Sequence, residues 1–299
     1  MGGLTESCEA TAHGKPTAVD SAVRLPVLWW WLACLTALLA AAASGVGLLA
    51  ADRIYDRETV VLSDAATAQD IVTLLVVAPL LALLALGVRR GSLAAFLCLP
   101  GILAFTTYNY VIYAFSIHFG PLFLVWVALL GLSIFTLVGG LATANMSAIK
   151  DWFAGRAMTG TARFLIAVAA LFALLWLSEI VPDLFAGNPS RSATHWKVPT
   201  NPVHVLDLAF FLAAVIMSGL LLRRQHPLGY ATTAGQLVWL ALTCLPILVT
   251  PLVANARGHN LSWAVMIPIG TFLVATLAVL GGLLQHIAVN PKTAADQDR

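Results

Sequence analysis

Nine side chains could carry chemistry in this chain: Asp70, Asn109, Tyr110, Tyr113, His118, Glu179, Asp183, His204 and Asp207. Each stands within or at the end of a long apolar stretch. Inserting a charged group into the middle of such a stretch costs about 2.5 to 3.5 kcal/mol, and groups kept there usually have a use. Glu179 and Asp183 are four residues apart, so on a helix they share a face with β-carbons about 5 to 6 Å apart. Two carboxylates that close repel, and one then holds its proton more tightly, which is the chemistry of proton relays and cation sites. The plain alternative is that the helix has ended by Val181 and both acids are wet. Pro182 removes a backbone donor, and Asn188 with Pro189 signals a loop.

The run from Asn201 to Asp207 reads as a helix start, with Asn201 as cap and Pro202 at the first position, where no amide donor is needed. His204 then stands in the first turn with Asp207 three residues on along the same face. An imidazole held by a carboxylate can accept a proton, clamp a ligand or join a metal set. The plainer reading is a carboxylate favoured by the helix dipole beside a histidine at headgroup level. Thr106, Asn109, Tyr110 and Tyr113 lie close to one helix face, with His118 just beyond. They either line a cavity, where Asn and Tyr orient a polar ligand, or hydrogen-bond neighbouring helices at about 0.6 kcal/mol per contact. No HxxxH or HExxH spacing puts two metal ligands on one face. GxSxG, P-loop and dinucleotide glycine patterns do not occur either. The expectation is therefore no cofactor and no resident metal.

The elements that must hold these groups are apolar spans. Hydrophobic residues are 60% of the chain and charged ones 10%, against roughly 45 to 50% and 25% in soluble proteins. A helix of about 20 apolar residues crosses a bilayer core about 30 Å thick. Eight stretches meet that: Leu25 to Ala50, Ile71 to Val88, Leu93 to Ser116, Pro121 to Ala144, Arg163 to Val181, Val205 to Leu222, Tyr230 to Ala254 and Trp263 to Leu284. Strands would be shorter and alternating, so the expected fold is all-α, a polytopic transmembrane helix bundle. Most Lys and Arg, among them Arg89, Arg90, Arg163, Arg223 and Arg224, fall on one side if both termini are cytoplasmic. An even number of spans requires the termini to share a side, and the acidic candidates then lie toward the outer face. The net charge of +2 is topological and gives no reason to expect nucleic acid. Three of the four cysteines, Cys34, Cys98 and Cys244, sit in expected spans and suit packing.

The expected organisation is a cytoplasmic tail at 1–24, an eight-helix membrane domain at 25–286 and a second tail at 287–299. Residues 145–161 divide the domain into halves at 25–146 and 162–286, and Trp152, Phe153 and Met158 among basic residues suit a stretch lying in the membrane interface. The second span of each half closes with paired arginines and carries a carboxylate near its outer start. However, Asp70 precedes Arg89 by 19 residues and Asp207 precedes Arg223 by 16, a mismatch of about one turn. A duplicated unit and two ordinary sets of positive-inside loops both produce such a pattern.

The run YNYVIYAFSIHFGPLFLVWVALLGLSIF, Tyr108 to Phe135, resembles a stretch of uncharacterised multi-pass integral membrane proteins of bacteria, many of them actinobacterial. TNPVHVLDLAFFLAA followed by RRQHPLGY resembles a later block of the same family. The resemblance covers most of the membrane region and implies a bacterial inner-membrane location, with no particular chemistry. The expected activity is binding or transport of a small polar or cationic solute through an outward-facing polar cleft between spans two, three, five and six. The lipid bilayer and a small-molecule ligand would be the partners. A membrane-embedded hydrolase acting on a lipid headgroup and a non-catalytic assembly protein are the other two readings.

Overall fold

The computed structural model describes residues 25–153, 158–259 and 262–288. Among them all regular structure is helical, and eight helices are long and apolar enough to cross a membrane. These are α1 (Val27–Leu49), α2 (Val60–Arg89), α3 (Leu93–Ser116), α4 (Phe123–Ala142), α5 (Thr159–Phe185), α6 (Pro202–Arg223), α7 (Pro227–Ala256) and α8 (Trp263–Ile287). The chain is a polytopic helix bundle, and its eight apolar helices mark a multi-pass membrane protein. The expected tails, except Ile287 and Ala288, lie outside the described residues.

Two spans are longer than hydropathy suggests, and both extensions matter for the polar groups. Helix α2 starts at Val60, eleven residues before the expected start, with the Thr59 side chain accepting the Leu62 amide at 3.3 Å. The stretch holding Asp64, Thr67, Gln69 and Asp70 is therefore buried helix. Hydropathy misses it because the side chains find partners inside the protein. Helix α5 continues through Pro182 to Phe185, so Glu179 and Asp183 stand in its last turns rather than in a loop.

The centre of the bundle is α3 against α7. The most apolar window of α3 is 78% buried, whereas that of α8 is 6% buried, so α8 lies at the periphery. The two central helices touch at Gly101 and Gly235, where a β-carbon on Gly101 would overlap the Gly235 carbonyl oxygen. Glycines let helix backbones meet in a medium where packing replaces the hydrophobic drive. The short helix Met146–Trp152 packs on the start of α7. Ile149 and Phe153 are buried there, and the Phe153 ring stacks on Tyr230 at 5.3 Å. That segment is packed onto the bundle.

One end of the bundle is basic: the Arg89 guanidinium lies 4.4 Å over the Trp30 ring, whose indole N–H donates to the Ala85 carbonyl at 3.0 Å. The other end holds the candidate carboxylates Asp70, Glu179, Asp183 and Asp207. Both α2 and α6 contain a π-helical turn on the way between the two ends, Thr73–Val77 and Asp207–Phe211. Each is followed by twelve α-helical residues, Ala78–Arg89 and Leu212–Arg223. The turns that follow are the same. Gly91 and Gln225 both take positive φ, 79° and 54°. Ser92 N–H donates to Gly87 O and His226 N–H to Leu221 O, each at 2.9 Å. Ser92 and His226 then cap α3 and α7. Every one of these pairs, and the Gly101–Gly235 crossing, has a separation of 134 residues. In that register Asp207 matches Thr73 and Asp70 matches His204, which corrects the pairing of Asp70 with Asp207 that the sequence suggests.

Candidate functional site

Span α3 divides the candidate residues. Tyr110 and Tyr113 are three residues apart and point together toward α1, α2 and α4, whereas Tyr108, two residues before Tyr110, leaves the helix on another side. Asp70 lies with the first pair and Asp207 beside Tyr108. The two carboxylates thus occupy separate clusters on different faces of one central helix, and the nine candidates do not converge on one point.

In the first cluster Asp70 is 4% exposed. Its Oδ2 accepts the Tyr55 hydroxyl at 2.6 Å. Its Oδ1 is 3.2 Å from the Tyr113 hydroxyl, which is also 2.9 Å from the Ala66 carbonyl, so one phenolic proton serves either acceptor. Ser44 of α1 lies against the same carboxylate. Gly47, one turn on, has no side chain because a β-carbon there would overlap the Asp70 carboxyl group. The Tyr110 hydroxyl, also buried, lies beside Asp70 and Ser44 without closing a well-formed hydrogen bond. Tyr55 lies in the loop after α1. Its burial, and then the carboxylate beside it, push its phenol well above the usual value, so it stays a donor.

In the second cluster Trp176 of α5 is the hinge piece. Its indole N–H donates to Asp207 Oδ2 at 2.8 Å, and its ring lies 4.7 Å from the His204 ring. Asn201 caps the helix as its sequence suggests, accepting the Val203 amide at 2.9 Å, with Pro202 at the first position. His204 and Asp207 are both buried, yet the imidazole is not held by Asp207. Its Nε2 is 3.8 Å from Glu179 Oε2, and Glu179 is the more exposed partner. Glu179 and Asp183 have separate basic partners. Asp183 Oδ2 accepts the Arg191 amide at 3.3 Å and lies 3.6 Å from the Arg191 guanidinium. Asp207 opens the π turn, and its Oδ1 is buried with no hydrogen bond, although Tyr108 stands beside the carboxylate. Tyr108 packs edge-on against Phe211 at 5.0 Å and Trp239 at 5.8 Å, so an aromatic wall closes that side.

His118 stands apart from both, over the loop after α1. Its backbone N–H and Nδ1 both reach Glu58 Oε1, at 2.8 and 2.9 Å, and the Glu58 side chain is almost fully buried, with Oε2 unpartnered. Asn109 is buried on α3.

Sequence reasoning missed a third polar centre. Asp64 is fully buried and takes donors on both oxygens: Arg257 Nη1 at 2.9 Å on Oδ1 and His259 Nδ1 at 2.7 Å on Oδ2. Arg257 Nη2 also donates to Thr67 at 2.9 Å. This ties α2 to the far end of α7. Its signal was present as an acid and two bases far apart in the chain, but Asp64 fell in what hydropathy reads as a loop. Trp176 and Tyr108 were hidden because an aromatic residue in a span reads as packing, and Tyr55 because it stands in the loop after α1. No protein-family model, no curated protein and no solved structure matches this chain.

Proposed function

We propose that this chain binds a small polar or cationic solute at the acidic end of the bundle, between α5 and α6, and passes it across the membrane. The observation that carries the reading is the Asp207 carboxylate. It is buried within a span, its Oδ1 closes no well-formed hydrogen bond although the Tyr108 hydroxyl stands beside the carboxylate, and it opens a π turn. A buried carboxylate oxygen without a well-formed hydrogen bond is costly, so its retention points to a partner that comes and goes. π turns inside α-helices recur at functional sites. Glu179 receives the solute or a proton at the surface, His204 follows it, and Trp176 fixes both His204 and Asp207 in place.

The test is thermal unfolding of the purified protein between pH 5 and 8 with a panel of small amines and quaternary ammonium ions, beside Asp207→Asn. A compound that stabilises the native protein and not the variant supports the reading, since a ligand that binds only the folded state raises its unfolding temperature. Flux of that compound into proteoliposomes then separates transport from binding. Equal responses of the two proteins to every compound would end it. One observation favours a second reading, an assembly protein whose polar groups only join helices: Asp64 has both oxygens occupied by Arg257 and His259.

A further inference from the structure

The first cluster differs from the second in donor chemistry. The side chains that interact with Asp70 present oxygen: the hydroxyls of Ser44, Tyr55, Tyr110 and Tyr113, with the Ala66 carbonyl behind Tyr113. Among the described residues no Lys, Arg or His lies within ion-pair distance of Asp70, so its charge is met by hydroxyls alone. Hard cations take oxygen ligands, whereas nitrogen and sulfur sets suit transition metals. A single carboxylate balances one positive charge, and a divalent ion would leave net charge buried in the bilayer. The Tyr110 hydroxyl supplies a second, independent sign. It is 1% exposed, it lies beside Ser44 and the Asp70 carboxylate, and it closes no well-formed hydrogen bond with either. Its oxygen has lone pairs free for a ligand at that position. Gly47 leaves room for the carboxylate to lie against α1, where any side chain would displace it.

We propose that Asp70, with Ser44, Tyr55, Tyr110 and Tyr113, forms a binding site for a monovalent alkali cation of sodium's class, in the first half of the membrane domain. The site lies among α1, α2 and α3, and in the register shared by α2 and α6 the Asp70 position is His204. The inference deepens the preceding reading by giving a cationic partner to a second polar centre, and it stands on different residues. Sodium at Asp70 would hold α1, α2 and α3 together while the phenolic protons stay directed at the carboxylate.

The experiment is thermal unfolding of the full-length protein in detergent, at fixed pH 8, in sodium, potassium or choline chloride at equal ionic strength. Wild type and Asp207→Asn are expected to gain several degrees in an alkali salt over choline, whereas Asp70→Asn gains nothing. Tyr110→Phe, which keeps the ring and removes the unpaired hydroxyl, is expected to need at least tenfold more sodium for the same gain. Should Asp70→Asn fail to fold, Tyr110→Phe and retention of radioactive sodium by the wild type decide. No alkali effect beyond choline would overturn the site, as would an undiminished effect in Asp70→Asn or Tyr110→Phe. A repeat in choline chloride at pH 6 that stabilises the wild type and not Asp70→Asn, with no alkali effect at pH 8, would also overturn it, making Asp70 a proton site. A sodium effect lost in Asp207→Asn but kept in Asp70→Asn would move the cation to the second half, sinking this inference and leaving the preceding reading intact.

Discussion

Residues 73–101 and 207–235 follow one backbone plan with different side chains, and the contrast shows what the plan holds fixed. The π turn, the twelve-residue helix, the arginine pair, the positive-φ turn and the axial glycine are common to both. What differs is the polar filling at the acidic end. Asp70 has hydroxyl donors on both sides, while the matching His204 leans on Glu179 and the carboxylate sits one turn further in, at Asp207. At the edge of this shared stretch the side chains differ: Asp70 meets hydroxyls on both oxygens, whereas Asp207 has the Trp176 indole on one oxygen and no well-formed bond on the other. Such shared geometry is what duplication of a four-span unit would leave.

The largest difference between the halves is the Asp64 lock, since α6 begins only at Pro202 and has no turn that corresponds to the one holding Asp64. Asp64→Ala would strand Arg257 and His259. Removing one partner of a buried ion pair costs about 3 to 5 kcal/mol, and the lower end applies because Arg257 can turn toward solvent. Chemical unfolding in detergent measures it, and a loss below about 1 kcal/mol would show that the lock is peripheral to the contact between α2 and α7.

The axial glycines should break the equivalence in the next largest way. A β-carbon on Gly101 overlaps the Gly235 carbonyl, whereas one on Gly235 meets the Gly101 nitrogen at 3.1 Å, a gap that small shifts can open. Gly101→Ala is expected to cost about 2 kcal/mol and Gly235→Ala under about 1 kcal/mol, within the range for overpacked sites. Equal losses would mean that the helices separate along a symmetric path instead.

The carboxylates should order the same way. Asp70→Asn weakens hydrogen bonds from two phenols and is expected to cost about 1.5 kcal/mol, as bonds to charged groups do. Asp207→Asn keeps an acceptor for Trp176 and removes the charge from an oxygen without a well-formed hydrogen bond, so its cost should stay within about 0.5 kcal/mol. A stable Asp207→Asn protein is also what makes the ligand tests interpretable. If Asp207→Asn proves the more damaging of the two, its carboxylate is part of the packing, and the proposed site loses its main support.

The fold was legible because apolar length is a strong and local signal, and six of the eight spans end within a few residues of where hydropathy puts them. The exceptions, α2 and the end of α5, are places where acids are buried with partners distant in sequence, and composition has no means of seeing a partner. The Asn201 and Pro202 start was readable because its capping geometry is local. The π turns were not, since Thr73–Val77 is an ordinary apolar run and its extra residue per turn is set by packing against α1. The site was half legible: the nine polar residues are buried or paired as their cost implies, but their partners, Tyr55, Trp176 and Glu58 among them, follow from which helices meet.

The smallest effect tests the shared turn itself. Gly91 and Gln225 occupy one conformation, with φ of 79° and 54°, and only the first has the residue type that this region favours. Gly91→Ala puts a β-carbon into the left-handed region and should cost about 1 kcal/mol, since L-residues are disfavoured there by roughly that amount. Gln225→Gly relieves the same strain but also frees the unfolded chain, so its net gain should be only about 0.5 kcal/mol. Unfolding midpoints of the two variants, with opposite signs, would confirm that the turns are equivalent and that the second half tolerates strain at this position. A destabilised Gln225→Gly would show that the Gln225 side chain makes up for its backbone, and the two turns would then share a shape for different reasons.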